Sequence, residues 1–324
     1  RCVMKDAWGR TIEYVRLSLT DACNFCCPYC RPAEITPQSQ TQLLSVDEWM
    51  TILESFHRIG VKAVRLTGGE PLLYPHIEEL LERIKATGWF EDISMTTNGS
   101  LLSSRAQRLK KLGLSRVNIS LDSLESEAFA TCVGKEGQLE SVLDGIHSAI
   151  NANFKSVKIN TVLSRYWSDD EVKSLLQYVE KWPVVWRFIE YMPFQGDAFH
   201  GPTFDEWKAQ LERVSGGPLT EVHSVYGFGP ATYLALPSGK AVGFIFSMSH
   251  SYCDTCNRVR LTSDGQMRLC LLRDDEADLV SLIRNGATAE DLAEHIERAL
   301  QRKQERHDGI GMDQPERPMW RIGG

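Results

Sequence analysis

No stretch of this chain stays apolar for long. The run around Ala241 to Phe246 is the longest, far short of the roughly 20 residues that a membrane-crossing helix requires. No charged-then-apolar leader opens it, although the first residue is Arg1 rather than Met. Basic charge is not in excess: 36 Lys and Arg against 43 Asp and Glu leave a net charge of −7. That balance argues against the broad phosphate footprint of a nucleic-acid binder, whereas one small phosphorylated ligand needs only a few local cations. Internal repeats and low-complexity tracts are missing. The 8 histidines, scattered from His57 to His307, offer no catalytic dyad, which disfavours a hydrolase. With 42% hydrophobic and 24% charged residues over 324 positions, the composition excludes a disordered, collagen-like or fibrous chain and suits one large or two medium domains.

What the chain does carry is cysteine. Of Cys 9 in all, four crowd between Cys23 and Cys30, three lie between Cys253 and Cys270, and Cys2 and Cys132 stand alone. Clusters at such spacing, without a secretory leader, read as metal ligation in a reducing compartment, by default the cytoplasm, rather than as a disulfide scaffold.

Strand-like segments recur through the first 190 residues, at Tyr14 to Thr20, Ala63 to Thr67, Ile93 to Thr97, Arg116 to Leu121, Val157 to Val162 and Val184 to Tyr191. Helix-like stretches separate them. Ser45-Val-Asp-Glu48 is a capping box ahead of Trp49, Ile52, Leu53 and Phe56, and Ser168-Asp-Asp-Glu171 repeats it ahead of Val172, Leu175, Leu176 and Val179. Strand–helix alternation predicts a parallel sheet, open or curved into part of a barrel, with the active site at the C-terminal ends of its strands. The unusual residues fall there: Cys23 to Cys30, Gly68-Gly69-Glu70-Pro71, Asn98-Gly99, Asp122 and Met192. Past residue 200 the rhythm changes. A helix at Phe204 to Val214 precedes hairpin-like pairs at Ala231 to Leu236 with Ala241 to Ser247, and at Arg258 to Thr262 with Gln266 to Leu271. Helices follow near Leu279 to Asn285 and Ala289 to Arg306. The expected division is therefore 1–200 and a smaller α+β domain at 201–324, with the boundary near Gly196 to Pro202.

Two ligand sets compete in the first cysteine cluster. Cys23, Cys26, Cys27 and Cys30 together make a closed four-thiolate zinc site, at the cost of bending adjacent Cys26 and Cys27 onto one ion. Cys23, Cys27 and Cys30 alone make C-x3-C-x2-C, three thiolates for a [4Fe-4S] cluster with one iron open for chemistry. In the second cluster, Cys253, Cys256 and Cys270 admit the same two readings, with His250 as a fourth zinc ligand in one of them. Arg258 and Arg260 between them share one side of a strand, either for a phosphate-bearing ligand or as a salt-bridged surface.

C-x3-C-x2-C ending in Cys-Pro-Tyr-Cys30, together with Gly68-Gly69-Glu70-Pro71 after the second strand, resembles the radical S-adenosylmethionine (SAM) superfamily. Further marks are Arg16-Leu-Ser-Leu-Thr-Asp-Ala-Cys23, Thr96-Thr-Asn-Gly99, Val117-Asn-Ile-Ser-Leu-Asp122, Arg187-Phe-Ile-Glu-Tyr-Met192, the Cys253 to Gly265 segment and the terminal Ile322-Gly-Gly324. With these the chain resembles the GTP 3′,8-cyclase family of molybdenum cofactor biosynthesis from residue 10 to residue 324. The resemblance implies an α/β fold, an incomplete (β/α)6 barrel closed by a C-terminal extension with an auxiliary cluster. It implies two [4Fe-4S] clusters, on Cys23, Cys27 and Cys30 and on Cys253, Cys256 and Cys270. SAM contacts then fall on Tyr29, Gly69, Ser120 and Met192. GTP contacts fall on Arg16, Arg65, Thr96, Lys158, Arg258 and Arg260, with Gly323 and Gly324 reaching into the site. The implied reaction cleaves SAM to a 5′-deoxyadenosyl radical that removes the ribose 3′ hydrogen, and the carbon radical closes onto C8 of the guanine. Implied partners are a flavodoxin- or ferredoxin-like electron donor and a downstream cyclic pyranopterin monophosphate synthase; a homodimer is compatible. Alternatives are a peptide-modifying radical SAM maturase, whose extensions usually carry more cysteines, and a non-enzymatic zinc module. Arg31, Tyr74-Pro75, Gly134-Lys135 and Tyr166-Trp167 depart from the family pattern without removing an implied ligand.

Overall fold

Alternation along the strands decides which face meets the helices. The computed structural model describes residues 3–30, 42–193, 201–222, 229–306 and 316–323. Its first six strands, β1 (Tyr14–Ser18), β2 (Ala63–Thr67), β3 (Asp92–Thr97), β4 (Arg116–Ser120), β5 (Ser156–Val162) and β6 (Val185–Ile189), pair in parallel and in chain order. Val15, Leu17, Val64, Leu66, Val117, Ile119, Ile159, Trp186 and Phe188 are buried on one face. The other face is polar. Arg16 pairs with Arg65, Arg65 with Ser94, Thr96 with Asn118, Asn118 with Lys158, and Asn160 with Arg187. A period of two puts every one of these side chains on the inward face of a curved sheet.

Helices α1 (Val46–Arg58), α2 (Ile77–Thr87), α3 (Ala106–Lys111), α4 (Ser126–Val133), α5 (Leu139–Asn151) and α6 (Asp169–Lys181) link the strands. Both expected capping boxes form, Ser45 with Glu48 and Ser168 with Glu171, and the apolar residues behind them are buried. Each box satisfies two orphan N–H groups, which fixes where these helices begin. The result is an incomplete (β/α)6 barrel.

Beyond it lie α7 (Phe204–Ser215), β7 (Thr220–Glu221), β8 (Thr232–Ala235), β9 (Ala241–Ile245), β10 (Arg258–Leu261), β11 (Gln266–Arg268), β12 (Glu276–Asp278), α8 (Leu279–Arg284), α9 (Ala289–Leu300) and α10 (Met319–Ile322). Their strands build no sheet of their own. β10 adds in parallel to β1 and β9 in parallel to β6, giving one 12-stranded sheet in the order β12-β11-β10-β1-β2-β3-β4-β5-β6-β9-β8-β7. An incomplete barrel leaves two edges of unpaired N–H and C=O groups, and the C-terminal strands take up both. Helix α9 ends at Leu300 rather than at Arg306, because the carbonyls of Lys303, Gln304 and Glu305 accept from Trp8 and Arg10. Of the expected boundary near Gly196 to Pro202, Gly196 lies outside the described residues.

Candidate active site at the barrel mouth

The loop after β1 carries the first cysteines. The negative groups that act on the Cys27 thiol, itself pushed well up by burial, are Asp122, Cys30 and Cys23. Three thiols and one carboxyl thus gather at one place. Cys26 turns its backbone toward α4 instead: its N–H donates to Val133 O (2.9 Å), and a Cβ on Gly134 would lie 2.5 Å from its carbonyl oxygen. A donor set of three thiols suits an iron–sulfur cluster, and the site is built to keep them in place. Asn98 Nδ2 donates to Cys23 Sγ (3.9 Å) and to Asn24 Oδ1 (2.8 Å), and Asn24 donates to Ser100 Oγ (2.9 Å).

Tyr29, expected as a SAM contact, donates its hydroxyl to Asp122 Oδ2 (2.7 Å), while Val162 N–H donates to Asp122 Oδ1 (2.8 Å). Burial lifts the Asp122 carboxyl to about 6 against these hydrogen bonds. The ends of β4 and β5 therefore hold the cysteine loop. Gly69 lies against the same loop: a Cβ there would come within 2.3 Å of Ala22 O, and its N–H donates to Thr20 O (2.7 Å). The close approach that the Gly-Gly pair permits is thus, in this chain, one of backbone to backbone. Glu70 is fully buried and accepts from Leu72 N–H (3.0 Å), Thr97 Oγ1 (2.8 Å) and Asn98 N–H (2.7 Å). Burial raises its carboxyl to about 6. It ties the loop after β2 to the loop after β3.

Flanking β10, which pairs with β1, Cys253, Cys256 and Cys270 line one cavity together with Arg258, Arg260 and Met192. His250, the alternative fourth ligand, is not among the residues lining it; its ring packs on Phe204 at 5.1 Å. Burial would raise the Cys256 thiol, but Arg258 and Lys303 bring it down to about 7, which favours the thiolate a metal needs. Three thiols with adjacent cations fit a second cluster by the chemistry of the donors. Ser247 Oγ donates to Met192 Sδ (3.3 Å) at the same wall. Gly323 arrives from the chain end: Arg260 Nη1 donates to its carbonyl (2.9 Å), and a Cβ on it would sit 2.8 Å from Ser18 Cβ at the end of β1. Gly324 lies outside the described residues.

Between the cysteine loops the inward face is cationic. Arg16 lies in register between Arg260 and Arg65, and Tyr14 between Arg258 and Ala63. Burial, then Arg260, lowers Arg16 to about 9; burial, then Arg258, lowers Arg260 to about 10. Lys158 falls furthest, to about 6, through burial and then Arg187 and Arg65. Like charges forced together out of water call for an anion. Thr96 Oγ1 is buried on this wall with no hydrogen-bond partner among the described residues, and Ser120 ends β4 beside Asn160. Arg187, the first residue of one family mark but not among the implied SAM or GTP contacts, is buried on the same wall with its Nε donating to Asn160 Oδ1 (2.9 Å). Its position at an even step from Ile189 on β6 is the signal that places it there. Of the departures from the family pattern, Tyr74 donates to Leu44 O (2.8 Å) within the core, Trp167 packs on Trp207, and Tyr166 is exposed.

A partial barrel with a cysteine-bearing loop after its first strand defines a radical SAM protein, and residues 17–179 match the Radical SAM superfamily model. Residues 184–309 match the model described as Molybdenum Cofactor Synthesis C. A GTP 3′,8-cyclase of Pelotomaculum thermopropionicum is 38% identical over 99% of this chain and 100% of its own length. Molybdenum cofactor biosynthesis protein 1 of Mus musculus is 36% identical over 99% of this chain and 51% of its length. Among solved structures, SuiB of Streptococcus suis bound to S-adenosylmethionine superposes with a TM-score of 0.62 at 15% identity, over 87% of this chain and 68% of that one, which shows the fold alone. The chain belongs to the GTP 3′,8-cyclase family.

Proposed function

We infer that this chain converts GTP to 3′,8-cyclo-7,8-dihydro-GTP, the first step of molybdenum cofactor biosynthesis, as a radical SAM lyase. The observation that carries the reading is the continuous inward face on which Arg258, Arg260, Arg16, Arg65 and Lys158 run from one cysteine triad toward the other. Cys23, Cys27 and Cys30 would hold one [4Fe-4S] cluster, and Cys253, Cys256 and Cys270 a second. Bound there, the first cluster and SAM supply one-electron reductive cleavage and with it the hydrogen abstraction that starts ring closure.

The protein's own work is placement. Tyr29, Gly69, Ser120 and Met192 are the proposed SAM contacts, with Asp122 fixing Tyr29 through its hydroxyl. Arg16, Arg65, Lys158, Arg258 and Arg260 take the triphosphate by charge-assisted hydrogen bonds, and Thr96 offers a hydroxyl. Gly323 narrows the mouth, and the buried Trp320 and Ile322 before it exclude water; Gly324 is assigned to the same site by resemblance alone. Holding the ribose against the SAM site turns a two-body encounter into an oriented one, a gain of several kcal/mol or more, up to about 11. Residues 1–200 form the barrel that serves radical generation and lends Arg16, Arg65, Thr96 and Lys158 to the substrate, and 201–324 add the auxiliary triad, Arg258, Arg260 and the tail. In this reading the enzyme works in the cytoplasm, takes electrons from a flavodoxin- or ferredoxin-like donor and passes product to a cyclic pyranopterin monophosphate synthase. Among the described residues no helix is long and apolar enough to cross a membrane.

Anaerobic incubation of the iron-loaded protein with GTP, SAM and a reductant tests the proposal. The expected product has the mass of GTP at a different retention, formed with an equal amount of 5′-deoxyadenosine. Protein loaded with both clusters that cleaves SAM yet leaves GTP unchanged overturns it.

A further inference from the structure

Ahead of the barrel, residues 6–10 fold into a tight turn. Asp6 N–H donates to Arg10 O (3.0 Å), Gly9 N–H to Asp6 O (3.1 Å), and Asp6 Oδ1 accepts from the N–H groups of Trp8 and Arg10 (3.0 Å each). Gly9 supplies the φ of +77° that this turn requires. Arg10 Nε donates to Asp6 Oδ2 (2.7 Å), and the pair is almost wholly buried, at 8% and 5% exposure. Asp6 neutralises the guanidinium, so the remaining donors go to carbonyls: Nη1 to Cys253 O (2.8 Å) and Glu305 O (2.7 Å), Nη2 to Gln304 O (2.7 Å).

The strap at 301–306 is held from its other side as well. Trp8 Nε1 donates to Lys303 O (2.9 Å). Lys303, 3% exposed, sends its ammonium to the carbonyl of Leu269, the residue before Cys270, and Arg306 pairs with Asp254 (2.9 Å). Both cysteine-bearing loops of the second triad therefore meet the same strap. These loops have little regular structure of their own: Cys253–Thr255 is a single turn, and Cys270 follows β11 as irregular chain. Their spacing must be set from outside.

We propose that Arg10 and Lys303 are positioning residues for the second cysteine triad, which through the 301–306 strap fix Cys253 relative to Cys270. The inference rests on the reading of that triad as a [4Fe-4S] site. Stability alone does not call for such a device, because a buried ion pair can often be replaced by apolar side chains without loss. A planar fork that bonds three carbonyls from two segments defines geometry, and a lysine at position 10 could not reproduce it. Partners of this kind around metal ligands typically change affinity or activity on the order of 10- to 100-fold when removed.

The test uses the full chain in a Cys27→Ser background, where only the second cluster contributes to the paramagnetic spectrum of the reduced protein. Arg10→Ala should alter that spectrum or deplete its iron, and Arg10→Lys should restore it only in part. In the otherwise unaltered protein, Arg10→Ala should raise the KM for GTP while SAM cleavage without GTP persists. If Arg10→Ala does not fold, Lys303→Met, which keeps the buried stem, must show the spectral change by itself. A parental spectrum and KM in both variants overturns the proposal. Iron for one cluster alone in the unaltered protein overturns the two-cluster reading, and this proposal with it; iron for two with unaffected variants overturns only the proposal.

Discussion

Lys158 shows how far a barrel wall can bend the chemistry of one side chain. Burial and the neighbouring Arg187, Arg65 and Arg116 outweigh Asp92 and push its pKa to about 6, so near pH 7.5 the ammonium is largely discharged. A bound triphosphate would restore the charge, and GTP binding should therefore take up a proton. Calorimetry at pH 7.5 in buffers of different ionisation enthalpy should show that uptake, and Lys158→Met should abolish it; an unchanged buffer dependence in the variant assigns the proton elsewhere. The unfolded chain binds this proton up to the ordinary lysine range and the folded one only below about 6, so Lys158 makes folding more favourable as pH rises across that window. At the residue scale the sequence could show that Lys158 and Arg187 sit on inward steps of their strands. It could not show that Arg187 and burial discharge Lys158, because that depends on which strands become neighbours.

At the scale of elements, Glu70 joins two loops that lie 27 to 28 residues apart along the chain. Its carboxylate accepts from three donors, so Glu70→Gln would turn an amide donor toward at least one of them. Such a mismatch in a buried site costs about 1–3 kcal/mol. Glu70→Gln should lower the melting temperature and also lower the iron content of the first site, because Asn98 carries the effect to Cys23; a variant with lowered stability and full iron would confine Glu70 to the scaffold. Alternation and capping boxes made the barrel strands and α1 and α6 legible in advance. Strands β7 and β12, of 2 and 3 residues, were not, since so short a segment carries no period and exists only by pairing with β8 or β11. The Gly-Gly pair was legible only through the resemblance, as part of the SAM site. That a carbonyl, that of Ala22, packs against Gly69 follows from loop packing, which spacing does not encode.

Taken as a whole molecule, the chain brings its residues 316–323 back to the end of β1 and to β10, where Gly323 meets Ser18 and Arg260. Arg317 pairs with Asp264 (3.0 Å) and Glu276 (2.7 Å), and Trp320 and Ile322 are buried at 4% and 1% exposure. Burying two such side chains contributes about 1.5–3 kcal/mol each, as much or more than the single bond from Arg260 to Gly323 O, for which about 1.5–3 kcal/mol is usual when the donor is charged. The anchors should thus keep α10 docked when the final two residues are removed. Among the described residues, deleting Gly323 and Gly324 then withdraws the Gly323 backbone that passes Ser18 and accepts from Arg260. The expected outcome is full iron and sulfide content and a melting temperature within about a few degrees of the parent. SAM cleavage should persist while cyclisation of GTP largely disappears, the pattern of lost substrate geometry. Substituting Gly323→Ala should act in the same direction, since its φ of +80° and the 2.8 Å approach to Ser18 both exclude a side chain. A truncated protein that cyclises GTP at the parental rate would reduce the tail to a plug, with Arg260 free to serve the substrate without it.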